Sequence, residues 1–228
     1  MTALAKTLLR ADAAETEERL RVFQPQTATH CAFAILVGCG LYGATVGIWR
    51  APVQGAYTAA KFPLLIFLTC AGNALLNGIL AQLLGSGLSF RQTSLAILMS
   101  FATAALVLGA LSPITLFVIA NAPPLASSQA VAGHSVTLLM HVAVIAYAGV
   151  LGNHRLHRLV ERMSGSRAIA LRVMISWLAG NLLLGAQLAW VLRPFIGSPH
   201  IPVQFLRDDP MRGNFYEAVW RALTHLLS

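Results

Sequence analysis

Amide and imidazole side chains interrupt the apolar stretches of this sequence, and they are its first candidates for chemistry. Asn73 and Asn77 are four residues apart, so they share one face of a helix. A polar group in hydrocarbon is costly unless it finds a hydrogen-bond partner, so these side chains must face protein. The whole intramembrane polar set is Asn73, Asn77, His141, Asn181 and Gln187. Because no ionisable residue accompanies the paired amides, we favour hydrogen bonding between helices over a solute path.

His141 is the only histidine deep in a predicted span. A buried histidine with a hydrogen-bond partner is the simpler interpretation, and a proton-linked role is the alternative.

Motifs for catalysis and metal binding are missing from the sequence. It contains no GxSxG, P-loop, HExxH or dinucleotide fingerprint, and the predicted spans carry no carboxylate to hold a metal ion. His154 and His157 are three residues apart, which is weak spacing for a metal, so solvated loop histidines are the simpler interpretation. The cysteines fall inside predicted spans as small apolar packing residues: Cys31, Cys39 and Cys70. We therefore expect no enzyme, no metal and no cofactor.

The composition indicates which elements must position these side chains. Of 228 residues, 57% are hydrophobic and 11% are charged, whereas soluble domains carry about 25% charged residues. The net charge of +8 comes from Lys and Arg beside apolar runs, without the aromatic-interleaved basic stripe of nucleic-acid binders. We therefore expect a membrane protein, with the lipid bilayer as its surroundings and no nucleic-acid partner.

The longest apolar stretch, 61–121, predicts a membrane hairpin closed by Gly85-Ser86-Gly87. Its two runs, 62–84 and 94–120, contain no charged residue, and each exceeds the roughly 20 residues that cross a bilayer. Ser89 could cap the second helix, and Pro113 leaves two alternatives there: one kinked span, or a span plus a re-entrant piece. The remaining predicted spans are about 29–48, 135–152 and 169–192. The predicted fold is an all-α bundle of five transmembrane helices plus a short C-terminal interfacial helix.

Three regions follow along the chain: a cytoplasmic leader at 1–28, a membrane domain at 29–192, and an extracytoplasmic elbow and amphipathic helix at 193–228. The leader lacks the apolar region of a signal peptide. In the first span, Gly43 and Gly47 form a GxxxG pair, which favours a close helix contact within the chain over a homodimer contact. We interpret 49–61 as a linker and 214–223 as the C-terminal helix. The expected membrane-interface anchors are Trp49, Arg91, Trp190, Arg193, Tyr216 and Trp220.

The charges of the loops predict the orientation. The loop at 121–133 has no charged residue, whereas the loop at 153–167 carries Arg155, Arg158, Arg162 and Arg167. Short translocated loops avoid Lys and Arg, so the first loop belongs outside and the second inside. We therefore expect the N-terminus in the cytoplasm and the C-terminus outside.

Several motifs resemble the membrane domain of bacterial Yip1-like proteins, over about residues 55–190. They are Lys61-Phe62-Pro63-Leu64-Leu65, Leu84-Gly85, Leu88-Ser89-Phe90-Arg91-Gln92 and Leu111-Ser112-Pro113-Ile114. The resemblance implies five helices and a cytoplasmic N-terminus. In the eukaryotic relatives it implies membrane-trafficking scaffolds, which bind partner proteins and have no catalytic residues to transfer.

Together these observations predict a non-catalytic, multi-pass protein of a bacterial inner membrane. We expect it to act as a scaffold or accessory subunit, with a membrane protein or a second copy of itself as partner. The alternative is a small-solute transporter or channel that uses the intramembrane polar set as its path. The two differ in whether those five side chains converge on a water-accessible cavity.

Overall fold

Helices account for all the regular secondary structure in the described part of the computed structural model, which covers Leu8 and residues 13–22, 24–198 and 200–227. The seven helices in these ranges are α1 (Ala13–Arg21), α2 (Pro25–Ile48), α3 (Pro52–Leu83), α4 (Phe90–Ala120), α5 (Ala130–Ser164), α6 (Arg167–Val191) and α7 (Phe215–Leu227). The rest of the predicted leader lies outside the described residues, as do Pro199 of the elbow and the terminal Ser228.

Five helices, α2 to α6, are long and apolar enough to cross a membrane. They contain 24 to 35 residues, which at 1.5 Å per residue gives lengths of about 36 to 52 Å, against about 30 Å of hydrocarbon. Among the described residues, α1 and α7 are the only shorter helices. The all-α fold and the five membrane-length helices predicted from the sequence are confirmed.

The predicted linker at 49–61 is wrong, because α3 already begins at Pro52. Proline suits the first turn of a helix, where its missing N–H would have no partner. The polar residues that follow made the stretch look like a loop, but Gln54, Thr58 and Lys61 are buried. A turn at 49–51 is all that separates α2 from α3, and Pro63 lies inside α3.

The predicted loop at 153–167 is also mostly helical. α5 continues to Ser164, and the connection to α6 is Gly165 and Ser166, with Gly165 in the left-handed conformation at φ 65°. The arginines of this stretch made it resemble a loop. Residues 153–164 are helical because they contain no proline or glycine and because Leu156, Leu159 and Val160 are buried on one side.

Pro113 lies inside one continuous helix, which decides between the two alternatives left open for this run. The neighbouring hydroxyls bond the backbone, since Ser112 Oγ donates to the Leu108 carbonyl at 3.1 Å and Thr115 Oγ1 donates to the Ser112 carbonyl at 3.0 Å. Such hydroxyl bonds help transmembrane helices tolerate proline. At the start of α4, Ser89 caps the helix as expected from the sequence, and Gln92 completes a capping box with it.

Helix α2 packs against α3 and α4, which also pack against each other. A Cβ atom on Gly43 would lie 2.5 Å from the Thr58 carbonyl oxygen of α3, and one on Gly47 would lie still closer to the Gln54 carbonyl oxygen. Both glycines of the GxxxG pair therefore contact α3 within the chain. On the other side α6 packs against α3 and α5, and α7 packs against α5 and α6.

Candidate functional site

Three polar side chains on the first turns of α3 form a buried stripe that positions the C-terminal segment. Gln54, Thr58 and Lys61 follow the i, i+4, i+7 spacing of one helix face, and each has 0% of its surface exposed. We call them the α3 polar stripe. A fully buried lysine is exceptional, because removing an ammonium group from water is costly unless other groups compensate its charge.

Backbone carbonyl groups supply that compensation for Lys61. Its ammonium group donates to the carbonyl oxygens of Leu192 at 3.2 Å and Pro194 at 2.7 Å, and also to that of Phe205. The nitrogen lies 5.5 Å from the ring centroid of Phe195 and 5.0 Å from that of Phe205, within cation–π range. Leu192 caps the C-terminus of α6, where the helix dipole favours a cation. Among the described residues no carboxylate pairs with this lysine.

The rest of the stripe binds the same segment in the same way. Gln54 Nε2 donates to the carbonyl oxygens of Pro194 at 2.9 Å and Phe195 at 3.0 Å, and Thr58 Oγ1 donates to that of Phe195 at 2.9 Å. Just before α3, Arg50 donates to the carbonyl oxygens of Ser198 at 2.9 Å and Ile201 at 3.2 Å. Side-chain donors of one hairpin thus hold the backbone of a segment more than 130 residues later in the chain.

Arg193 and Trp190 hold the second half of this segment. Arg193 donates to the carbonyl oxygens of Asp209, Pro210 and Arg212 at 2.6 to 3.2 Å, and its guanidinium lies 4.1 Å from the Trp190 ring centroid. Trp190 Nε1 also donates to the Arg212 carbonyl at 2.9 Å. Partial burial, and next the Arg207 guanidinium, lower the pKa of Arg193 from its ordinary value, but arginine stays charged at neutral pH.

Helix α7 packs against α5 and α6. The Tyr216 hydroxyl donates to the Leu182 carbonyl of α6 at 2.9 Å, which fixes the first turn of α7. Phe215, Ala218, Val219 and Ala222 form its more buried side. Trp220 is 65% exposed on the adjoining apolar side, whereas Arg221 and Glu217 pair at 3.7 Å on the polar side. The helix therefore has one side for protein, one for lipid and one for water, as an interfacial helix requires.

Three of the five predicted intramembrane polar residues form a cluster between α3 and α6. Asn73 Nδ2 donates to Asn181 Oδ1 at 2.5 Å and to the Thr69 carbonyl at 2.8 Å, and Asn77 Nδ2 donates to Asn73 Oδ1 at 3.1 Å. Gly180 lies opposite, where a Cβ atom would be 3.6 Å from the amide oxygens of Asn73 and Asn77. The cluster joins two helices through side-chain amides.

The other two residues of that set lie elsewhere. His141 Nδ1 is 2.7 Å from the Tyr42 hydroxyl, which joins α5 to α2, and His141 Nε2 has no hydrogen-bond partner among the described residues. Gln187 is exposed on α6. The five residues therefore do not converge on one site.

The cavities lie apart from this polar set. An apolar cavity of about 250 Å³ between α2 and α4 is lined by residues that include His30, Phe33 and Leu106. A second cavity of about 40 Å³ between α4 and α5 is lined by residues that include Ser100 and Arg155. None of the five intramembrane polar residues lines either cavity. In the described part of the chain, no three His, Cys, Asp or Glu side chains are grouped to hold a metal ion.

The remaining predicted anchors lie at the ends of the bundle. Trp49 Nε1 donates to the Pro123 carbonyl at 3.2 Å, which ties the α2–α3 turn to the loop after α4. Arg91 is exposed in the first turn of α4, at the opposite end.

Sequence reasoning missed the α3 polar stripe because Lys61 was assigned to the linker at 49–61 between the first two spans. The usable signal was the helical spacing of Gln54, Thr58 and Lys61 directly after a proline that can begin a helix. Their partners are backbone carbonyls, which any sequence supplies, so the contact itself leaves no trace in the sequence. No protein family, curated protein or solved structure matches the chain.

Proposed function

We propose that this chain is a non-catalytic scaffold or accessory subunit of a bacterial inner-membrane assembly, with residues 193–227 as its partner-binding part. The observation that carries the proposal is a segment that is fixed in place yet presents large apolar side chains. The polar stripe and Arg193 hold its backbone, while Met211 is 71% exposed and Phe205 and Leu206 are each 43% exposed. Exposed apolar groups on an ordered segment are typical of a protein or membrane contact.

The orientation belongs to the same proposal. Ten of the sixteen Lys and Arg residues fall on the side of the N-terminus and six on the other, which favours a cytoplasmic N-terminus. Residues 193–227 would then face the outside, where they could bind a second membrane protein or a second copy of this chain. The resemblance to Yip1-like scaffolds agrees with this function and stays a prediction.

Site-specific photo-crosslinking tests the proposal. A photoreactive amino acid at Met211 or Leu206 should yield one discrete crosslinked protein in intact membranes, whereas the same probe at Arg162, at the other end of the bundle, should not. Removal of Asn214–Ser228 should leave membrane insertion intact and weaken the crosslink at Met211. Crosslinks to lipid alone at both outer positions would contradict a partner-binding role.

One observation favours the second candidate function, a small-solute transporter. Asn77 Oδ1 is buried and has no hydrogen-bond partner among the described residues, so it could accept a bond from a polar solute. In reconstituted vesicles, Asn77→Leu would then abolish uptake of the solute and leave the fold unchanged. If the amide only joins helices, Asn77→Leu should cost about 0.5 to 2 kcal/mol of stability. Neither the unmodified chain nor the variant should then take up solute.

A further inference from the structure

The ends of α5 and α6 that meet at Gly165 carry an exposed basic surface. Arg158 and Arg162 are exposed four residues apart on the last turns of α5, and Arg167 and Arg172 are exposed on the first turns of α6. We call these four residues the hairpin arginines. Because a two-residue turn joins the helices, Arg158 and Arg172 lie at about the same height, six or so residues (~9 Å) from the turn.

In the described part of the chain, no carboxylate lies within ion-pair distance of this surface. Between 153 and 178 the sequence has one acidic residue, Glu161, and it lies 4.0 Å from His157. The first turn of α6 contains no acidic residue. On the neighbouring α1, Glu15 and Glu17 pair with Arg19 and Arg21 of the same helix at 2.6 and 2.8 Å. Among the described residues, none of the hairpin arginines belongs to an ion pair.

The position of Arg172 indicates what kind of anion fits. Its neighbours on the same exposed side of α6 are Leu171, 52% exposed, and Ile175, 60% exposed. Apolar side chains with this exposure on a membrane-length helix face acyl chains, so the guanidinium among them must lie at headgroup depth. α5 is about 52 Å long, which exceeds the hydrocarbon by about 20 Å and leaves room for its arginine-bearing turns beside the headgroups.

We propose that the hairpin arginines bind the phosphate groups of anionic phospholipids. Guanidinium groups match phosphate oxygens with paired hydrogen bonds, and two helices place four of them around one stretch of the membrane surface. The exposed leucine and isoleucine supply the contact for the acyl chains. This site depends on neither the partner-binding role of residues 193–227 nor the direction in which the chain crosses the membrane.

Native mass spectrometry of the full chain in a mild neutral detergent tests the site. Phosphatidylglycerol should bind in preference to phosphatidylcholine, and Arg158→Gln/Arg172→Gln should weaken phosphatidylglycerol binding by about fivefold for each arginine removed. Arg158→Lys/Arg172→Lys should retain most of the preference, because the charge remains. Free inorganic phosphate at the same concentration should not displace the lipid, since it makes no acyl-chain contact.

The charge control is Arg212→Gln/Arg221→Gln, which removes two positive charges that are not among the hairpin arginines. This variant should keep the preference of the unmodified chain. Equal binding of the two lipids by the unmodified chain would overturn the proposal. An equal loss of phosphatidylglycerol binding in both glutamine variants would also overturn it, because the effect would then depend on net charge alone. Displacement of the lipid by free phosphate would overturn it as well.

Discussion

Lys61 is a buried cation that, among the described residues, has backbone carbonyls and aromatic rings as partners and no carboxylate. Three carbonyl oxygens and two aromatic rings surround its ammonium group, and all of these groups belong to residues 192–205. Removing the lysine would take the donor from the Leu192 and Phe205 carbonyl groups, while Pro194 keeps its bond from Gln54, and a buried carbonyl that loses its donor costs about 1 to 3 kcal/mol. The residue therefore couples the C-terminal segment to the stability of α3.

We expect Lys61→Met to loosen the C-terminal segment. Methionine fills a similar volume but donates no hydrogen bond, so the stability of the docked segment should fall by about 1 to 3 kcal/mol. Limited proteolysis in detergent should then cut faster between Val203 and Met211. Leu64→Met, on the exposed side of the same helix, is the control and should change nothing. Equal cutting rates in Lys61→Met and the unmodified chain would show that the lysine is not the anchor.

Asn73 should contribute more than Asn77 to the contact between α3 and α6. It donates to both Asn181 and the Thr69 carbonyl and accepts from Asn77, whereas Asn77 makes one bond. A double-mutant cycle of Asn73→Leu and Asn181→Leu should give a coupling free energy of about 0.6 to 2 kcal/mol in unfolding measurements. Coupling near zero would mean that the amides do not join the helices.

Which intramembrane polar residues meet could be predicted only in part. The sequence places Asn73 and Asn77 on one helix face and requires that they face protein, but Asn181 as their partner depends on how α6 packs. His141 and Gln187 were included in the set because they are also polar residues in predicted spans. In the structure both lie away from the asparagine cluster, since His141 contacts Tyr42 and Gln187 is exposed on α6. Composition identifies polar groups, and tertiary packing decides their partners.

At the scale of elements, the crossing of α2 and α3 depends on the absence of side chains. Gly43 and Gly47 allow the α3 backbone to approach, and that approach aligns Gln54 and Thr58 with the C-terminal segment. The glycines of α2 thus face the backbone of the α3 residues whose side chains form the polar stripe. A wider crossing would move the stripe away from its carbonyl partners.

Gly47→Ala should destabilise the bundle, because the new methyl group would meet the Gln54 carbonyl, which is backbone and cannot turn aside. Overpacking of this kind costs about 1 to 3 kcal/mol. Gly40→Ala is the matched control on the same helix, since its Cβ atom would lie 3.7 Å from the Ala59 carbonyl oxygen, an ordinary contact. Thermal unfolding in detergent distinguishes them, and equal stability of the two variants would contradict this packing.

Helix boundaries were less predictable than helix number. Uninterrupted apolar runs are enough to predict five membrane-length helices, because about 20 consecutive apolar residues are needed to cross the hydrocarbon and soluble helices rarely contain so many. The first turns of α3 and the last turns of α5 were read as loops, since charged and amide residues dominate there. In the structure these turns are helical, with the polar side chains either buried against the C-terminal segment or exposed at the end of the bundle.

At the scale of the whole molecule, the two ends of the bundle differ. One end carries Trp49, the loop after α4 and the docked residues 193–227, and the other carries the hairpin arginines and the first turn of α4. The first end offers ordered apolar groups, and the second offers positive charge. This asymmetry matches a chain that binds a partner on one side of the membrane and anionic lipid on the other.

We expect residues 193–227 to form an ordered surface on the outer face of the membrane. Single-cysteine variants at Met211, Ser128 and Ala168 test it directly, because the native cysteines are buried and give little background. A membrane-impermeant maleimide added to intact cells should label Met211→Cys and Ser128→Cys but not Ala168→Cys until the membrane is opened. Labelling of Ala168→Cys alone in intact cells would show the opposite orientation. Different labelling of Met211→Cys and Ser128→Cys would contradict the docked position of residues 193–227.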